Sequence, residues 1–260
     1  MHNENMAALI DEGIILRKYL LRETSYILKI FTKEHGKIQG VLKGARNPYP
    51  QFAGNFELFA HCDLLFYRKK RKTLDLITGC ELRDFFFFVR KDIERLTYAN
   101  YFIELIDVVT AENDPNGDLY TILLESLRLL SGESSPKRIC RIFELKLLKC
   151  IGMAPAVSAC LKCGSGDKKV FYFSIKDGGT ICGDCAAGMR GRMRISMGTI
   201  KFMEKIYRLP FDRVHQIKVS REVGRETENI LNSFIGFHLG RRIRSLEFLG
   251  QLEKEGILQK

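Results

Sequence analysis

GIILRKYLLRETSYILKIFTKEHGKIQGVLKGAR, Gly13 to Arg46, decides the architecture of the N-terminal region. Its apolar residues fall in three short runs with partial alternation, GIILRKYLL, SYILKIFT and GKIQGVLKGA. Alternation with a period of two puts every second side chain on one face, so these runs read as strands. Two more follow, FELFAHCDLLFYRKK and KTLDLITGCEL, and Gly13, Gly36, Gly40, Gly44, Gly54, Gly79, Pro48 and Pro50 punctuate the series. Five strands in about 70 residues predict a small closed barrel, because so short an open sheet would leave two edges unpaired.

Beyond Asp84 the period changes. Tyr98, Tyr101, Phe102, Leu105, Ile106 and Val109 mark one face of a helix over 97–110. The turn NDPNG precedes a second helix over 119–130, stopped at Gly132. SSPKRICRIFELKLLKCIG reads as a third, with Ser135 as N-cap, Pro136 in the first turn and Gly152 at the end. Its apolar residues surround most of the helix, which predicts burial on several sides. Helices are also expected over 196–207 and 221–239, with Gly240 breaking the chain before SLEFLGQL. The chain is thus expected to be α+β and multidomain: a barrel over 1–82, a helical domain over 83–158 and 190–260, and a cysteine module over 159–189.

That module is ACLKCGSGDKKVFYFSIKDGGTICGDCA, Ala159 to Ala186. Cys160 and Cys163 form one C-x2-C pair, Cys182 and Cys185 another. A two-residue gap lets both sulfurs of a pair reach one metal, and four thiolates satisfy tetrahedral zinc. VFYFSI and TICG flank KDGG as a hairpin between the pairs, while Gly164 and Gly183 stand where the chain must turn near sulfur. The reading is a zinc ribbon holding one structural Zn2+; an iron–sulfur cluster and a redox dithiol are the alternatives for the same residues. Cys62, Cys80, Cys140 and Cys150 sit singly in apolar stretches, which suits buried thiols in a reducing compartment.

The chain has 260 residues and a formal net charge of +11. Residues 1–80 carry 13 basic and 8 acidic side chains, 81–159 carry 10 and 12, and 160–260 carry 19 and 11. Four thiolates on a divalent ion would lower the total to about +9. Basic ends suit a polyanionic partner such as nucleic acid. YRKKRKT places Arg68, Lys69, Lys70, Arg71 and Lys72 at the tip of a DLLFY/TLDLI hairpin, where mutual repulsion favours phosphate. Lys37, Lys43 and Arg46 lie on neighbouring segments, with Tyr49 and Phe52 as stacking surfaces. Arg241, Arg242 and Arg244 of GRRIRS suit a phosphate, a carboxylate partner or a helix C-terminus equally well.

Catalysis finds no support. The sequence lacks the phosphate loop G-x-x-x-x-G-K-[ST], the elbow G-x-S-x-G and the zincin H-E-x-x-H. Its histidines, at 2, 35, 61, 215 and 238, are scattered. MHNENMAALIDEGIIL is too polar and acidic for a signal peptide, and no segment supplies the roughly 18 consecutive apolar residues of a membrane span. An intracellular protein without membrane contact is expected.

Three stretches together resemble the RecO family of bacterial DNA repair and recombination proteins. EGIILRKYLLRETSYILKIFTKEHGKIQGVLKGAR is similar to the family's N-terminal barrel, FELKLLKCIGMAPAVSACLKCG to its central helix running into the zinc site, and FHLGRRIRSLEFL to its C-terminal signature. The resemblance implies an OB-fold, a helical domain and an inserted zinc module, in a cytoplasmic, nucleoid-associated protein. It also implies binding of single- and double-stranded DNA, annealing of complementary strands and, with RecR, loading of RecA onto strands coated by single-stranded-DNA-binding protein (SSB). The SSB tail, acidic and ending in a hydrophobic residue, would then dock near Arg241 and Arg242. A zinc-ribbon adaptor for RNA or protein, without annealing activity, is the competing class.

Overall fold

A computed structural model describes residues 7–45, 56–68, 74–132, 134–214, 216–241 and 243–257. The chain divides into two compact units, Met1–Gly132 with Arg244–Lys260, and Glu133–Ile243.

The first unit contains the expected barrel. Strands β1 (Ala7–Leu21), β2 (Ser25–Thr32), β3 (Gly36–Leu42), β4 (His61–Arg68) and β5 (Asp75–Asp84) close in the order β1-β2-β3-β5-β4. All pairs are antiparallel except β3 with β5. This is an OB-like arrangement. Closure depends on the long β1, whose first half pairs with β4 and whose second half pairs with β2. At the changeover Gly13 faces Thr32 and Cys62, and a Cβ there would lie 2.6 Å from Ile30 Cγ2. Gly13 therefore permits close approach inside a strand and does not mark a turn. Ile15, Leu28, Ile30, Ile38, Leu42, Phe56, Cys62, Leu64, Phe66 and Ile77 fill the interior.

Three longer helices complete this unit. They are α2 (Ile93–Val109), α3 (Gly117–Leu130) and α8 (Arg244–Lys254), and a short α1 (Phe87–Arg90) precedes them. Asp92 caps α2 by accepting the N–H groups of Glu94 and Arg95, and Asn116 caps α3 through Leu119 N–H. Residues of α2 tie it to the barrel through charge: Asp107 pairs with Arg17 at 3.3 Å, Lys29 at 3.0 Å and Lys37 at 3.2 Å.

In the second unit α4 (Pro136–Cys150) is buried nearly all round, as its apolar pattern predicts. Ser135 occupies its N-cap position, but its side chain makes no capping hydrogen bond. Helices α5 (Met197–Arg208) and α7 (Arg221–Leu239) pack on α4, and a short α6 (Phe211–Val214) lies between them in sequence. Glu226 of α7 accepts the Ser196 N–H at 2.9 Å and Oγ–H at 2.6 Å, joining the two helices at the start of α5. Strands β6 (Phe171–Ser174), β7 (Gly179–Cys182) and β8 (Arg192–Ile195) form a sheet in the order β7-β6-β8. Its Phe173 ring meets Phe234 of α7, with centroids 6.1 Å apart.

This division differs from the sequence-based partition. The ion pairs of Asp107 group α2 with the barrel, while α4, α5 and α7 go with the cysteine sheet. Apolar periodicity does not register such charged ties. Among the described residues, no helix is long and apolar enough to cross a membrane.

Candidate metal centre and nucleic-acid interface

The β6–β7 hairpin brings Cys182 and Cys185 beside the loop that carries Cys160 and Cys163. Among the described residues, these four Sγ atoms form a cluster in which all lie within 4.8 Å of one another. Cys163 and Cys182 approach to 3.8 Å. Four sulfurs at about 2.3 Å from one zinc ion, tetrahedrally placed, would be separated by about 3.8 Å. The donor set and its spacing therefore fit a four-thiolate metal site.

Local hydrogen bonds shape the two loops. Gly164 N–H donates to Cys160 O at 2.8 Å, and Cys160 N–H donates to Ser165 O at 2.9 Å. Gly164 has φ of +72°, where a Cβ would be strained. Gly183 does not share this conformation: its Cβ would make an ordinary 3.5 Å contact with Val170. In the second loop Ala186 N–H donates to Cys182 O at 2.9 Å. Burial pushes the Cys160 thiol up, but backbone N–H groups of Cys182, Cys163 and Lys162 outweigh it and bring it down to about 6. Hydrogen bonding to the Cys182 and Cys163 thiols, with burial, pushes Cys185 up to about 12. Four thiols in this space oppose joint ionisation, and a bound cation would remove that opposition.

The barrel presents a second feature on its outside. The register aligns Tyr19, Ile27, Val41, Leu76 and Tyr67 as successive neighbours on β1, β2, β3, β5 and β4. Their sequence neighbours Leu28, Leu42, Ile77 and Phe66 point inward and are buried, while Tyr19 is 49% exposed and the other four are half-buried. The row is an apolar and aromatic belt, visible only once the register is known. At its margin Lys43 is exposed in the turn after β3. Arg68, the last residue of β4, is on the opposite face from Tyr67: it lies 5.8 Å from the Phe66 ring centroid and pairs with the buried Asp75 carboxylate at 3.5 Å.

Lys37 is not part of this surface, contrary to the expectation from sequence. It is buried, and its ammonium donates to Asp107 O at 2.6 Å and Thr110 O at 2.7 Å. Its strand position faces α2, where it holds the helix end and leaves no charge for phosphate. Arg46, Lys69, Lys70, Arg71, Lys72 and Arg242 lie outside the described residues, as do Tyr49 and Phe52. Arg241 is exposed just beyond Gly240, which caps α7 with φ of +57°. Arg244 is exposed at the first position of α8, so it stands at a helix N-terminus and not a C-terminus. Arg241 and Arg244 fall in different units.

A β-barrel of OB-like order combined with a four-cysteine cluster that could hold a metal ion defines a class: α+β proteins that join such a barrel to a small cysteine module. Comparison with known proteins makes this specific. The family model described as Recombination protein O N terminal matches residues 6–86, and that described as Recombination protein O C terminal matches 90–247. Similar full-length proteins include the DNA repair protein RecO of Acetivibrio thermocellus, 31% identical over 96% of this chain and 99% of that protein. Another is the DNA repair protein RecO of Symbiobacterium thermophilum, 32% identical over 95% of this chain and 98% of that protein. The chain belongs to the RecO family of DNA repair and recombination proteins, which are non-enzymatic mediators.

Proposed function

We propose that the chain binds single- and double-stranded DNA, anneals complementary strands and, with RecR, promotes loading of RecA on SSB-coated DNA. The observation that carries this reading is the outward row of Tyr19, Ile27, Val41, Leu76 and Tyr67, bordered by Lys43. Tyrosine faces accept unpaired bases without regard to sequence, and the cations take the phosphates. Arg46 and Lys69 to Lys72, which follow β3 and β4 in the sequence, would add further basic charge. Annealing brings two polyanions together, so screening by such a surface lowers the barrier without a covalent step.

Cys160, Cys163, Cys182 and Cys185 would hold one structural Zn2+, whose contribution is to fix the hairpin in place of an extensive core. The SSB tail would dock near Arg241 and Arg242, and the protein would act in the bacterial cytoplasm at the nucleoid.

The test is annealing of complementary oligonucleotides, naked and SSB-coated, with and without RecR. Acceleration above the spontaneous rate is expected, with DNA affinity falling steeply as salt rises. Neutralising Lys43→Gln should reduce the salt slope by ~0.7, the value for one single-strand phosphate left without its cation. A rate equal to the spontaneous one would support an adaptor that binds RNA or protein.

A further inference from the structure

We infer that the metal-bearing unit carries a second contact for single-stranded DNA, built from the edge strand β8 and Tyr172. The inference rests on the proposed DNA-binding function and adds a site to it.

The first observation is how differently cations are used in the two units. On the barrel and its helix α2, Arg17, Lys18, Lys29, Lys33, Lys37, Arg68 and Arg83 each pair with a carboxylate. Around the cysteine sheet the situation is reversed. Residues 159–195 carry seven basic and three acidic side chains. Lys168 pairs with Asp184 at 2.9 Å, whereas Lys162, Lys169, Lys176, Arg190 and Arg194 have no ion-pair partner among the described residues. Unpaired like charges on one small module repel one another, and a polyanion relieves that repulsion.

The second observation is geometric. Arg192 and Arg194 are two apart on β8, so their side chains leave the same face of the sheet, and both are exposed. They stand opposite Ser174 and Tyr172 of β6. Arg192 is seated on the Tyr172 ring, 4.6 Å from its centroid, and donates to Ala186 O in the second cysteine loop. The guanidinium is thus held from below by an aromatic face and from the side by a carbonyl of the metal loop. A planar cation fixed in this way stacks an unpaired base on its open side. Arg194 lies about 6.6 Å further along the strand, at two residues of about 3.3 Å each, in position for a neighbouring phosphate. Arg190, exposed just ahead of β8, takes a phosphate on the other side.

Charge on an edge strand also deters pairing with a foreign sheet. Any charge serves that purpose, and it does not require an arginine locked between a tyrosine and the metal loop. A single strand is the occupant that matches both parts, since duplex bases are stacked and do not offer a face to Arg192. With DNA contacts on two units, one chain has places for two strands.

The test compares oligothymidylate binding by full-length, metal-loaded protein across a salt series. Arg190→Gln with Arg194→Gln should lower the slope of log affinity against log salt by ~1.4, with metal content and melting temperature unchanged. Arg192→Lys keeps the charge but loses the planar stack, so it should preserve the slope and weaken binding roughly tenfold. If the double variant is unstable, Arg194→Gln alone should lower the slope by ~0.7. An unchanged slope and affinity in these variants overturn the inference. Lys43→Gln, measured in parallel, separates the readings. Weaker binding in that variant alone leaves the barrel function standing without the β8 site, and undiminished binding in both sets removes both.

Discussion

Glu104 of α2 accepts the backbone N–H of Ser245 at 2.8 Å and its Oγ–H at 2.5 Å. The same carboxylate accepts the N–H of Arg244 at 3.1 Å. The first turn of α8 therefore finds its acceptor on another helix. This also explains how an arginine is tolerated at the positive end of a helix dipole. Glu104→Ala should expose these donors and cost about 1 to 3 kcal/mol. Thermal unfolding would give the loss, and amide exchange should rise first in Arg244–Lys254.

Acid should weaken the first unit through Asp107. Burial alone would raise its carboxyl, but hydrogen bonds and charge from Lys29 and Lys37 hold it below the usual aspartate value. A group depressed on folding contributes stability that is fully present above its unfolded value of about 3.9 and is lost as pH falls through the folded one. Asp107→Asn should remove that acid-dependent component and leave Lys29 and the buried Lys37 uncompensated. A loss of roughly 3 kcal/mol at neutral pH is expected, at the low end for breaking a buried pair. Urea unfolding at pH 7 and near pH 3 would check both statements.

Removing the metal should act on the second unit selectively. A chelator, or Cys160→Ser with Cys163→Ser, should melt the β6–β7–β8 sheet while the barrel keeps its cooperative transition. Elemental analysis should return one zinc per chain. Iron in its place would overturn the structural-zinc reading.

Gly36 turns the chain from β2 into β3 with φ of +70°, and a Cβ there would lie 2.4 Å from the backbone C and O of Asp114. Both the conformation and the neighbour exclude a side chain. Gly36→Ala should destabilise the first unit by about 2 kcal/mol or more. A melting temperature equal to that of the parent protein would show that the Asp114 loop yields.

The strands and long helices were legible because their apolar periods are strong, and the four cysteines were legible because their spacing is specific. What escaped depended on pairing. Gly13, Gly40 and Gly79 read as breaks yet sit inside strands, since a missing side chain looks the same whether it serves a turn or a close approach. RMRI, Arg192–Ile195, is too short and too charged to announce a strand, but pairing with β6 makes it one. Lys37 illustrates the opposite error: a lysine amid basic neighbours suggested a surface, and only the position of Asp107 revealed a buried clasp. FFFFV, Phe85 to Val89, supplies most of α1, which buries Val89 and leaves Phe87 and Phe88 exposed.

The clasp between Glu104 and Ser245 joins residues 141 apart in sequence. At about 5 to 20 residues per second, α2 leaves the ribosome roughly ten seconds before its α8 partner exists. The whole of the second unit, Glu133–Ile243, is synthesised within that interval. The second unit therefore has the opportunity to fold first, and the unit begun earliest is the one finished last.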